Sequence, residues 1–375
     1  QYGADSLRFY LATMAGQDQG IIFSRARVEG YRNFCNKLWN AARFAGMNLE
    51  DFGAGELASW RAQVIERGEL AELSPADRWI LARAVETAMQ VGELLGTYRL
   101  DLAAHAIYQF VWYELCDWYL EAAKLSLRGD AADPARRAAQ GTLATVFDLV
   151  LRTLHPITPF LSEALWQTLP RPAGEPDTLM LAAYPRVLTR DAAGAAQTMA
   201  GPVHAVGALL ADPRVQAARE DMAATIDIVS ATRMLKAEFK LPPAQKVEIL
   251  LRAEDPAAQA RALRIQASVV HLARLQALRV VEAAEVPRES GSTVVRGLEV
   301  VLPLIGLVDL AAERVRIGKD LEKLRKEGEA LDRKLGNQGF RAKAPPEVIA
   351  KDEARLGEIR VDVEKLERTR ARLGG

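Results

Sequence analysis

Between residues 25 and 170, apolar positions recur every three or four residues, in runs separated by turn-forming clusters. That period places the apolar side chains along one stripe of a helix and predicts a helical bundle. Residues 25–50 form one long run. Ser74-Pro75-Ala76-Asp77 is a start signal, with Ser as N-cap, Pro at the first position and Asp in the first turn. Its helix extends to about Leu95. Leu100–Ser126 follows, with Ile107, Phe110, Val111, Leu115, Trp118 and Tyr119 at helical spacing. Pro134–Leu154 is stopped by His155-Pro156, and Thr158-Pro159 opens a last helix ending near Pro170-Arg171-Pro172. About five helices are expected here, preceded by a short one around Asp5–Met14 and a glycine-containing turn.

Beyond the bundle the period changes twice. Thr178–Ala182 is a short strand candidate, and residues 190–238 are helical and alanine-rich. Lys246–Arg252, Ala277–Glu282, Thr293–Arg296 and Leu298–Pro303 carry β-branched residues in short runs bounded by turns, which predicts a small α+β unit. From Leu307 the rhythm becomes heptad-like. Leu310, Ile317, Leu321, Leu324, Leu331 and Leu335 precede a turn over Gly336–Pro346, and Ile349, Leu356, Ile359, Val363, Leu366 and Leu373 follow it. Two such helices joined by a short loop make an antiparallel coiled-coil hairpin. Arg314, Gly328 and Arg370 interrupt that seam. The expected fold is mainly α: a joint over 1–24, a helical bundle over 25–190, a small α+β linker domain over 191–305 and a coiled-coil arm over 306–375.

Composition narrows the function classes. Hydrophobic residues make up 49% and charged residues 26% of the 375, enough for real cores. No apolar run approaches the ~20 residues of a membrane helix, and no signal segment opens the chain. The two cysteines and four histidines are not paired at ligand spacing, so neither zinc nor a disulfide framework is expected. The 49 basic and 49 acidic residues balance. Basic charge is nevertheless local: Arg25–Ala45 holds five basic residues against one acid, and Leu307 to the end holds 17 against 14.

Tyr31–Ala45 carries the first candidate chemistry. At ~100° per residue, Asn33, Lys37, Asn40 and Phe44 fall within ~60° of each other, while Phe34, Leu38, Ala41 and Ala45 form a separate apolar face. Amides can hydrogen-bond base edges, Lys and the nearby Arg43 can hold phosphates, and an exposed ring can stack on an unpaired base. On the residues alone, a polar face with one ring packed on a neighbouring helix is the better fit. The aromatic run Tyr108–Tyr119 reads as core packing between helices rather than a cofactor box. Arg128-Gly129-Asp130 reads as a surface turn. Gly53-Ala54-Gly55 lacks the third glycine of a nucleotide loop and precedes no clear helix start. No nucleophile–base set has a supporting motif, so no catalytic residue is expected.

The stretch VEGYRNFCNKLWNAARF (Val28–Phe44) resembles the valyl-tRNA synthetases, a class I aminoacyl-tRNA synthetase family. So, in order, do YGADSLRF (Tyr2–Phe9), ADRWIL (Ala76–Leu81), FVWYELCDWYLEAAK (Phe110–Lys124), LHPITPFLSEALWQ (Leu154–Gln167), LKAEFKLPPAQKV (Leu235–Val247) and GNQGFRAKAPPEVI (Gly336–Ile349). The resemblance spans essentially the whole chain. It implies the portion after the family's KMSKS loop, with a helical anticodon-binding domain and a coiled-coil arm against the outer corner of the tRNA. It implies Lys37, Asn40, Arg43 and Phe44 at the anticodon, with Asn33, Arg32 and Arg27 as lesser candidates. Ala26 stands where a basic residue is expected, and Arg27 is its neighbour. On the arm, Lys334, Arg341 and Lys343 are the candidates. The opening Gln1 without an initiator Met fits a fragment.

The intact enzymes join valine to tRNA(Val) with ATP and Mg²⁺ and edit mischarged threonine. That chemistry lies upstream in the family, so this chain is expected to need no cofactor and to be inactive alone. A cytoplasmic monomer that binds tRNA, without DNA or membrane partners, is the expectation. A helical scaffold whose coiled coil docks another protein, and a hydrolase with an unrecognised site, stay open beside it.

Overall fold

A computed structural model of the chain describes residues 2–16, 23–185, 210–337, 339–340 and 344–372. The chain divides into two compact units, one ending at Ala223 and the other beginning at Ala224.

Among the described residues the regular elements of the first unit are all helical. Helix α1 (Ala4–Met14) precedes α2 (Arg25–Asn48), whose N-cap Ser24 hydroxyl accepts from the Arg27 N–H. α3 (Ala54–Arg61) ends in a wide turn, Ala62–Glu66. α4 (Pro75–Gly96) starts at the expected capping box: Ser74 Oγ accepts from Asp77 N, and the Asp77 carboxylate accepts from Ser74 N and from the Tyr119 hydroxyl. α5 (Leu100–Gln109), a π-helical stretch (Phe110–Tyr119) and α6 (Leu120–Leu127) then follow without a break as one rod. α7 (Pro134–Leu154) runs through the middle of the bundle, buried from Ala138 to its end, and α8 (Pro159–Trp166) follows. α1 is pinned through its first half: Arg8 donates to the Pro156 and Ile157 carbonyls, and Asp5 accepts from the Leu161 N–H.

Two local expectations change here. α3 exists although glycines flank its start, because Glu56 reaches back to the Gly53 N–H at 3.1 Å and Leu57 and Trp60 are buried. Thr178–Ala182 is not a strand but a 3-10 turn, Leu179–Leu181; only Leu179 is buried, and Thr178 and Leu179 both donate to Glu163. The expected helical segment from residue 190 falls partly on 186–209, outside the described residues. Its described part is α9 (Pro213–Glu238).

The second unit holds a four-stranded sheet of order β2-β1-β4-β3. β1 (Glu248–Ala253) and β2 (Ala277–Val281) are parallel, joined by helix α10 (Pro256–Ala273). β3 (Ser290–Val295) and β4 (Leu298–Pro303) form a hairpin whose two turn residues, Arg296 and Gly297, both have positive φ, the type I′ geometry that matches strand twist. β4 pairs antiparallel with β1, setting Arg252 beside Glu299 at 2.7 Å.

α11 (Leu310–Gly336) and α12 (Pro346–Arg372) form the expected hairpin. Ile317, Leu321, Leu335, Leu356 and Ile359 are buried in its seam, and Leu373 lies outside the described residues. Gly328 does not interrupt the seam. It is buried there, and a Cβ at that position would stand 3.3 Å from Ile359 Cγ2, so the missing side chain lets the helices close. Arg325–Glu367, Arg355–Glu327, Arg360–Asp332 and Lys334–Asp352 bridge the two helices.

The bundle is tied internally by one buried charge cluster. Asp148 on α7 accepts from Arg152 Nε at 2.8 Å, Arg61 Nη2 at 3.0 Å and Trp166 Nε1 at 2.8 Å, and Arg152 also reaches Glu175 at 2.7 Å. Removing one member of a buried pair leaves a charge without its partner and costs about 3–5 kcal/mol. Asp148→Ala is therefore expected to lose about that much in urea denaturation; a loss below about 1 kcal/mol would contradict the tie.

Candidate nucleic-acid interface

α2 presents two faces, as its period predicts. Phe34, Leu38 and Ala45 are fully buried and Ala41 nearly so. Asn33, Asn40 and Arg43 are exposed, and Lys37 and Phe44 are half-buried. Phe44 is thus half-buried rather than the exposed ring expected on that face. The Lys124 amine lies 5.7 Å from its ring centroid, and Lys124 is itself paired with Glu121.

The polar face of α2 runs along the rod. Near its start, Tyr31 meets Tyr108 edge-on at 6.2 Å, and Phe34 stacks on Tyr108 at 5.0 Å. Half-way along, Lys37 Nζ lies 2.5 Å from Asp117 Oδ1 and 3.9 Å from the centroid of the Trp112 ring. Trp112 in turn stacks on Tyr108, with 5.5 Å between centroids and 11° between planes. At the far end stand Phe44 and Lys124. Phe44 lies 13 residues beyond Tyr31, so this strip is about 20 Å long at 1.5 Å per residue. Beside its first turns a cleft of about 470 Å³ is lined by Arg27, Tyr31, Asp101, His105, Tyr108 and Gln109, among others.

The expected site residues therefore differ in availability. Among the described residues, the side chains of Asn33, Asn40 and Arg43 make no hydrogen bond or ion pair. Arg32 is held by Glu29 at 3.0 Å and lies over the Tyr2 ring. Arg27 reaches Met14 Sδ and lines the cleft. On the arm, Lys334 is paired with Asp352 at 2.7 Å and lies 4.9 Å from the Phe340 ring centroid. Arg341 and Lys343 lie outside the described residues.

Asp117 and Trp112 are partners that the sequence pattern does not suggest. Phe110, Val111, Leu115 and Tyr119 are buried, as core packing requires, but Tyr113 is 48% exposed and Asp117 faces Lys37. The reason is the winding. Regular α-helix would set Trp112 and Asp117 about 140° apart, whereas i→i+5 bonding brings residues five apart towards one side. The one available signal was an acid set among aromatic residues.

Two comparisons bear on this geometry. The description "anticodon-binding domain of tRNA ligase" fits residues 77–251, and "valyl tRNA synthetase tRNA binding arm" fits 309–374. α2 precedes both spans. Three curated relatives carry the name valine–tRNA ligase. That of Psychrobacter arcticus is 37% identical over 96% of this chain and 34% of its own length. That of Syntrophotalea carbinolica is 35% identical over 96% and 36%, and that of Symbiobacterium thermophilum 40% identical over 94% and 37%. The chain spans about a third of the length of the curated relatives it matches.

Cys35 lies on α2 beside Ser6 and Cys116 lies on the rod, and burial raises both thiols, Cys116 to about 12. A thiol reacts through its thiolate. At pH 8 Cys116 should therefore label roughly 10³-fold more slowly in the folded protein than in denaturant. Rapid labelling of the folded protein at Cys116, read by mass spectrometry, would show that the rod does not pack on α2 as described.

Proposed function

The chain belongs to the valyl-tRNA synthetase family, and on that premise we propose that it is the tRNA-holding portion of a valine–tRNA ligase. In this reading the α2 strip receives the anticodon loop of tRNA(Val), and the α11–α12 hairpin lies against the outer corner of the same tRNA. The ATP- and Mg²⁺-dependent joining of valine to tRNA falls to parts of the protein outside this stretch, in the cytoplasm where tRNAs are charged.

One observation carries the anticodon reading: a single strip offers unpartnered amides at Asn33 and Asn40, an unpartnered guanidinium at Arg43, and a half-buried ring at Phe44. Unpaired bases are recognised by this combination of base-edge hydrogen bonds, phosphate contacts and stacking. Asn33 and Asn40 supply the first, Arg43 and Arg27 the second, and Phe44 the third. The arm supports a different kind of contact. Its helices have 27 residues each, so each is about 40 Å long. Many of its basic residues bridge to acids, so it offers an extended shape with scattered positive charge rather than a base-reading site.

Phe44→Ala separates stacking from packing. A fully buried Phe→Ala change costs about 3–5 kcal/mol of stability, and a half-buried ring should cost about 1. Loss of a stacked base should cost about 1–3 kcal/mol of affinity for tRNA(Val). The expected result is a modest fall in melting temperature with weakened binding confined to tRNA carrying the valine anticodon. Equal weakening towards a tRNA with an altered anticodon, or a large fall in stability, would count against the role.

A further inference from the structure

We infer that Asp117 is a specificity-determining residue of this strip, making Lys37 one half of a donor–acceptor pair that reads the edge of an unpaired base rather than a phosphate. The inference rests on the tRNA-holding reading and names what its middle section recognises.

The argument begins with charge. A surface that holds RNA through phosphates gathers cations and excludes carboxylates, because each phosphate contact depends on an unneutralised amine or guanidinium. Here a 43% exposed carboxylate sits 2.5 Å from the central amine of the strip. The Lys37 charge is thereby largely offset, and an approaching phosphate would meet Asp117 as well. A base edge would meet something different. The ammonium has three N–H donors; one goes to Asp117, another lies against the Trp112 ring, and the third remains for a ring nitrogen or carbonyl. Among the described residues Asp117 accepts from Lys37 alone, which leaves its second oxygen for an amino or imino hydrogen. Adjacent donor and acceptor atoms are what base edges present and what phosphates lack.

The surroundings agree. On α2 the residues four before and three after Lys37 on the same face are Asn33 and Asn40, both amides. Arg43 and Arg27 stand further along the helix, where they can hold backbone on either side. The π-helical winding of Phe110–Tyr119 is the device that lets Trp112 and Asp117 reach one amine. Trp112 itself is fixed by its stack on Tyr108, so the amine is held in one place before any ligand arrives.

The test uses the full chain, tRNA(Val) and a tRNA(Val) with one anticodon base changed, with binding measured across a series of salt concentrations. In the wild-type background Lys37→Met should leave the slope of log K against log salt unchanged and reduce discrimination between the two tRNAs about tenfold. Asp117→Asn, which frees the amine to act as a phosphate anchor, should steepen that slope by about 0.7–0.9 and reduce discrimination by a similar factor. The double variant should return to the wild-type slope, which a merely structural effect of Asp117→Asn would not do. An unchanged slope and discrimination in Asp117→Asn overturns the inference. So does a slope about 0.7–0.9 shallower in Lys37→Met, which would make Lys37 a phosphate anchor already. Absence of salt-dependent tRNA binding by the wild-type chain overturns the tRNA-holding reading and this inference with it.

Discussion

Four aromatic rings hold α2 against the rod, and the candidate site depends on that contact. Phe9 on α1 meets Phe34 on α2 at 4.9 Å, Phe34 stacks on Tyr108, and Tyr108 stacks on Trp112. Phe9 and Phe34 are fully buried, so the ladder is anchored in the bundle core and ends at the half-buried Trp112 under Lys37. Slipping α2 by one residue would rotate its faces by about 100° and turn Asn33, Lys37 and Asn40 away from the strip. The same contacts that stabilise the unit thus set which residues a ligand meets.

Electrostatics is arranged around the same strip by pairing. The chain has no net charge, and three of the basic residues near the interface are matched by acids: Arg32 by Glu29, Lys37 by Asp117, Lys124 by Glu121. Exposed pairs of this kind add little stability, about 0–1 kcal/mol each. Their consequence is selective: among the described residues Arg27 and Arg43 have no acid partner, while Lys37 becomes a positioned hydrogen-bonding group. A surface built this way binds RNA by what its groups can pair with, more than by bulk attraction.

The face of α2 and the hairpin were readable from the sequence because both follow from a regular period over many residues. Asn33 and Asn40 project from α2 as the 3.6-residue repeat requires, and Ile317, Leu321 and Leu356 are buried in the seam as the heptads require. What escaped lies where the period breaks or where contacts join distant segments. The π-helical winding changes the angular step within Phe110–Tyr119, so Trp112 and Asp117 converge although an ideal helix separates them. Gly328 looks like a gap in a heptad but is buried in the seam, where a Cβ would stand 3.3 Å from Ile359 Cγ2. The Asp148 cluster joins residues from Arg61 to Glu175, a pairing no local pattern encodes. Phe44 sits on the expected face, yet the Lys124 amine on the rod, 80 positions away, lies 5.7 Å from its ring centroid.

The central claim, that the α2 strip is where an anticodon loop binds, is tested most directly by footprinting. tRNA(Val) labelled at one end would be treated with a single-strand-specific nuclease, with and without saturating protein. The account predicts protection of the anticodon loop that is lost when Asn33, Asn40 and Arg43 are replaced together by alanine, while protection at the outer corner of the tRNA persists. An anticodon loop cleaved equally with and without the wild-type protein would contradict it.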